Sequence, residues 1–263
     1  MKKTLIALAV AASAVVSGSA MAAGWEQNGS GGSVDLSGTL TPVEKTTPWE
    51  VKVGDAVSGL DAQIQKGQKE VSIAVTKAIP VLGIRTQTAE AFQGQAGISP
   101  QIDFGGTVSD LNNLADARSA VLTLNVTDES GTKIGSAEAP FIAAGQYSVA
   151  GPQANSVYRS MYAVGAQAFS GGLPTVSGAV QEALSNRVAA LDSEFAANFS
   201  EQGVSRIEKV SGAQRFNNTS HTYSAWYGSG IESNEKIVLT LDNPATQADI
   251  IWRASIPVTV TYA

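Results

Sequence analysis

The 263-residue chain has no cysteine and a single histidine, His221. Without thiols there are neither disulfides nor thiolate metal sites, and no Cys-His nucleophile pair can be assembled. A serine hydrolase would have to use His221 as its base, and the chain carries no Gly-x-Ser-x-Gly elbow; Gly228-Ser229-Gly230 is too generic to stand for one. His221 itself sits in the polar run Thr219-Ser220-His221-Thr222-Tyr223 and reads as an ordinary surface histidine. Gly29, Gly31 and Gly32 neither follow a strand nor open a helix, so they do not form a phosphate loop. The carboxylates Glu44, Glu50, Asp61 and Asp103 could face each other as a glycosidase pair in some fold, which spacing along the chain does not show. The expectation is a protein that is not an enzyme, with no catalytic residue, no metal and no cofactor.

Charge is also scarce, at 15% of residues, and basic residues are never clustered. Attraction to nucleic acid or to an anionic membrane needs Lys and Arg gathered on one face, so both partners are set aside. Long apolar runs are missing except near the start. There Met1-Lys2-Lys3 precedes an uncharged stretch to Val16, and Ala20-Met21-Ala22 supplies small side chains. This is the pattern of a secretory signal peptide over residues 1–22. Its removal takes away Lys2 and Lys3 and no acid, which leaves 15 bases against 23 acids and a net charge of −8. The core must come from packing alone, in one large β domain or two smaller ones.

What the chain does contain is alternation. After the flexible tract Asn28-Gly29-Ser30-Gly31-Gly32, the segment 33–42 sets Val34, Leu36, Gly38 and Leu40 on one face and Asp35, Ser37 and Thr39 on the other. Similar period-two patterning predicts strands over residues 49–53, 70–76, 120–127 and 235–242. Asp128-Glu129-Ser130-Gly131 reads as a hairpin loop with its return arm at residues 132–135. A last strand over residues 250–262 alternates Ile256, Val258, Val260 and Tyr262 with Pro257, Thr259 and Thr261.

Residues 153–200 break this rhythm. Val180, Leu184, Val188, Leu191, Phe195 and Phe199 recur at helical spacing, with Ser177 as an N-cap and Gly203 beyond the end. A second, shorter helix is predicted over residues 154–169, with Val157, Met161, Val164 and Ala168 on one side. The reading is a helical insertion in a β protein.

At these points the chain resembles the chaperone-usher fimbrial subunits, and within them the kappa-class major subunits of enteric adhesive fimbriae. Gly32-Ser33-Val34-Asp35-Leu36-Ser37-Gly38-Thr39-Leu40-Thr41 is similar to that class's donor strand, Trp49-Glu50-Val51-Lys52-Val53-Gly54 to its first core strand, and residues 169–178 to a glycine-rich link. The final strand with Tyr262 next to the end resembles the family's chaperone-recognition terminus. The resemblance implies a mainly β fold: an incomplete immunoglobulin-like β-sandwich with a helical insertion, completed by donor-strand exchange. It implies a signal peptide at 1–22, a donor-strand extension at 23–42 and a pilin domain at 43–263, with the insertion at about 153–200. Implied partners are a periplasmic chaperone that contacts Ile256, Val258, Val260 and Tyr262, an outer-membrane usher, and other subunits in a surface fimbria. Adhesive members bind host glycans through the insertion, which here points to Arg159, Tyr162 and Gln167. The competing reading is a monomeric secreted carbohydrate-binding module whose first strand completes its own sandwich.

Overall fold

The computed structural model describes residues 27–28, 34, 36–41, 46–116, 119–152, 156–206 and 211–263. The expected leader, most of the glycine-rich tract, and Ser33, Asp35 and Pro42 of the alternating segment lie outside the described residues. Thr46–Ala263 is one unit with its own core.

The alternating segments at 49–53, 70–76, 120–127 and 235–242 form strands where the pattern places them, and further strands join them. In chain order these are β1 (Trp49–Val53), β2 (Glu70–Ala74), β3 (Ile79–Thr86), β4 (Phe92–Gln93) and β5 (Pro100–Asp103). Next come β6 (Val108–Ser109), β7 (Ala120–Thr127), β8 (Lys133–Ala150) and β9 (Val157–Ser160). After the helix α1 (Glu182–Ala189) follow β10 (Ser205–Arg206), β11 (Thr222–Ile231), β12 (Lys236–Leu241) and β13 (Thr259–Tyr262).

The 18-residue β8 holds two layers together. Its first half pairs with β7 on one side and with β12 on the other, and β12 pairs onward with β2. Its second half pairs with β11 and β9, and β11 leads through β3 to the edge strand β1. The change of partner falls between Glu138, the last residue opposite β12, and Ile142, the first opposite β11. Pro140 stands between them. Proline has no amide N–H to give a ladder, so a partner switch is where a long central strand tolerates it.

Strands β3 and β11 have no clean alternation because both their faces are covered: residues 223–231 are all buried. One cover is the segment after α1. Gly83 and Gly228 are cross-strand partners, and the Phe195 ring lies where either would carry a Cβ. Lys52 on β1 adds contacts to the same segment, 2.8 Å from Asp192 and 3.1 Å from Glu194. Beneath, Trp49 packs edge-on against Phe92 and Phe169, tilts against Phe216, and donates its indole N–H to the Ile98 carbonyl at 2.6 Å. The Tyr227 hydroxyl, fully buried, donates to Gly172 O at 3.2 Å, and burial pushes its pKa well above the usual phenol range.

The insertion departs from expectation. Within the predicted helix at 154–169, residues 157–160 form β9, paired with β8, and the positive φ of Gly165 (57°) and Phe169 (64°) breaks any helix there; Ala154 lies outside the described residues. The apolar spacing of four and three was real, but it served a strand followed by turns. The second helix is shorter than its periodicity suggested. It begins at Glu182 behind Gln181, with Ser177 in a separate short 3-10 turn. From Leu191 to Phe199 tighter three-residue turns replace it, with Asp192 capping the Glu194 amide at 2.9 Å. The predicted last strand is also shorter: residues 250–258 are extended but hold only the Arg253–Thr127 bridge.

Gly228→Val should push Phe195 and Val188 off the sheet and lower stability by about 1–3 kcal/mol. Phe195→Ala should lose about 3–5 kcal/mol. Thermal melting of the folded subunit tests both, and combining the two should cost less than their sum, because the second removes what the first collides with.

Candidate functional site

The two layers do not close at one margin. After β1 the chain runs without strand pairing through residues 54–64, and before β13 it runs extended through residues 250–258. Between these walls lies a groove of about 1020 Å³, large for a small-molecule pocket. Its floor comes from both layers, through Ile73, Val81, Leu122, Ala139, Leu239 and Leu241. Along its walls Val53, Val57 and Ile251 are 57%, 48% and 56% exposed. So long an apolar strip is one that a soluble surface rarely leaves open.

The C-terminal wall keeps its alternation despite its sparse pairing. Trp252, Ala254, Ile256, Val258 and Val260 are half-buried and packed on the core, while Arg253, Ser255, Pro257 and Thr259 are exposed. The wall is tied down at both ends. Arg253 and Thr127 exchange backbone hydrogen bonds at 2.8 and 2.9 Å, β13 pairs with β5, and Ala263 exchanges bonds with Ser99. The ladder of β13 uses the side facing β5.

Of the C-terminal residues expected from sequence, Ile256 and Val258 line the groove. Val260 and Tyr262 lie farther on in β13, opposite Ile102 and Pro100. In the N-terminal segment Val34, Leu36 and Leu40 are 87%, 94% and 97% exposed, and no atom approaches the Cβ position of Gly38. Sequence reading missed the first wall. Val57, Leu60 and Ile64 are spaced three and four apart, a helical spacing too short to be read beside Gly54 and Gly59, and the chain there forms neither helix nor strand.

The insertion residues are only partly brought together. Arg159 on β9 and Tyr162 just beyond it both act on the hydroxyl of buried Tyr147, whose pKa burial raises while Arg159 opposes the rise. Gln167 turns back on its own loop, its Oε1 accepting from the Val164 amide at 2.9 Å. His221 differs from a plain surface residue: it is half-buried, stacks on Tyr223, and crowds the Cβ position of Gly151. Glu50 binds Arg85 at 3.0 Å and Asp103 accepts from the Gly105 amide at 2.7 Å; Glu44 lies outside the described residues. Among the described residues no group of three or more His, Asp or Glu gathers as a metal would require.

A sandwich with one open apolar margin agrees with the comparison that decides its kinship. Residues 1–263 match the family model described as fimbrial, major and minor subunit. The chain belongs to this fimbrial subunit family. It is 33% identical to K88 fimbrial protein AB of Escherichia coli and 32% identical to K88 fimbrial protein AD. It is 26% identical to the F41 fimbrial protein of the same organism. In each case the whole of both chains is covered. Fimbrial subunits are surface components, and among the described residues no helix is long and apolar enough to cross a membrane.

Amide hydrogen exchange on the subunit with its groove unfilled should be fast at residues 250–258, which hold a single bridge, and slow across the doubly paired β11. Equal protection of the two would mean that the margin is closed.

Proposed function

We propose that this fimbrial subunit polymerises by donor-strand complementation: residues 33–42 of one copy lie in the open groove of the next. The role is structural, not catalytic. The groove between residues 54–64 and 250–258 carries this reading. It is long, apolar and lined by both layers, and the chain supplies an alternating segment whose apolar side chains are exposed. Burying Val34, Leu36 and Leu40 is worth about 1.5–3 kcal/mol each before ordering costs, and backbone pairing along a bare edge adds to it.

The route that follows is export behind the leader at residues 1–22, temporary filling of the groove by a periplasmic chaperone along residues 256–262, and exchange at an outer-membrane usher. An unfilled margin is an aggregation hazard, which is the physical reason for a chaperone. Expression in a periplasm lacking the chaperone separates this reading from a self-complete carbohydrate-binding module. A subunit should aggregate or be degraded; accumulation of a stable monomer would reject polymerisation by strand donation.

Gly38 falls in the apolar phase of the donor segment, at the one position without a side chain. Gly38→Val should slow or block fibre growth while leaving the folded body unchanged, as read by electron microscopy and by melting of the chaperone-bound subunit. Normal fibres would refute the proposed register. For host attachment, the reading places a sugar against Tyr162 and Arg159, which lie together at Tyr147. Tyr162→Ala should abolish glycan-array binding at unchanged melting temperature, and an unaltered array profile would remove that site.

A further inference from the structure

The charged side chains along the groove are lopsided. Asp55, Asp61 and Asp249 line it against one base, Arg253, and all four are exposed. None of the four takes part in an ion pair among the described residues. The rim therefore carries an uncompensated negative field over a concave, low-dielectric surface, the arrangement that acts at a distance on an arriving charge. The chain's own segment 33–42 has one charged residue, Asp35, and it is also negative. Period two puts Asp35 opposite the apolar face of that segment, so an inserted strand turns it to solvent.

We infer that the groove selects by charge. Resting on the proposed strand-insertion reading, this inference adds that the rim disfavours this chain's own strand and favours a protein partner whose inserted strand alternates apolar residues with Lys or Arg. A strand with a cation where Asp35 stands meets three carboxylates and one guanidinium, whereas Asp35 meets mostly like charge. The apolar faces of the two strands can be identical, so affinity in the floor does not separate them. The rim does, chiefly through the rate of insertion, since rim charges act on association more than on dissociation. Capture by a basic partner then precedes self-association, and insertion of the homologous strand is the step that salt accelerates.

The test uses the full mature chain, refolded by dilution with either of two fluorescent decapeptides: residues 33–42 unchanged, or the same peptide with Asp35→Lys. Insertion is followed by anisotropy at about 20 mM and about 500 mM NaCl, where the screening length falls from roughly 20 Å to a few Å. At low salt the Asp35→Lys peptide should insert roughly ten-fold faster, with the gap largely gone at high salt. The unchanged peptide should speed up as salt rises. In the chain variant Asp61→Asn/Asp249→Asn, whose floor is untouched, the low-salt gap should narrow. Equal low-salt rates, or a faster unchanged peptide, would overturn charge selection while leaving strand insertion standing. If neither peptide inserts, strand insertion itself fails, and charge selection with it.

Discussion

Strand β8 is the constraint on which the rest depends, because one continuous strand belongs to both layers. Its 18 residues place β12 and β2 on one layer and β11, β3 and β1 on the other. The switch at Pro140 fixes where one ladder ends and the next begins. Side chains from both layers must then meet across the space between them. One margin is filled by aromatic rings, Trp49 of β1 and Tyr227 of β11 against Phe169 and Phe216 of the loops, at 5–6 Å. Toward the other margin the layers part into the groove, with Trp252 on its C-terminal wall.

The two margins are built for opposite ends. At the aromatic margin the fold spends backbone hydrogen bonds and two cross-strand glycines to seat Phe195 flat against the sheet. That contact closes the outer face of β3 and β11. At the open margin residues 54–64 and 250–258 are nearly bare of ladder pairing, although Trp252, Ile256 and Val258 still cover part of the core. Ladder pairing is therefore concentrated away from the groove. Local stability that varies in this way across one domain is what a site for an added strand requires.

Much of this was legible in sequence, for reasons that differ by element. Strands β2, β7 and β12 were read because each has one covered and one exposed face, and alternation records that difference; β1 alternates in sequence although only its Trp49 is buried. Strands β3 and β11 were silent for the converse reason: the insertion covers their outer face, and a strand buried on both sides has nothing to alternate. The helix predicted over 154–169 was the costly misreading. Val157, Met161, Val164 and Ala168 satisfy a helical spacing, yet β8 offers residues 157–160 an edge to pair with, and tertiary pairing outweighs a short local pattern. The groove was half read. Ile256 and Val258 were found from their alternation, but Val57, Leu60 and Ile64 become a wall only because residues 249–258 lie across from them.

The sequence by itself determined the class of the protein, because composition and short-range periodicity are local properties. The absence of thiols, the lone histidine, the signal-like start and the alternating segment 33–42 need no third dimension. The tertiary structure alone decided which apolar residues are left uncovered and which charges surround them. Asp55, Asp61 and Asp249 are scattered along the chain, and only the folding of β8 between two layers brings them to one rim. Burial and electrostatic fields depend on distance in space, which a list of residues does not contain.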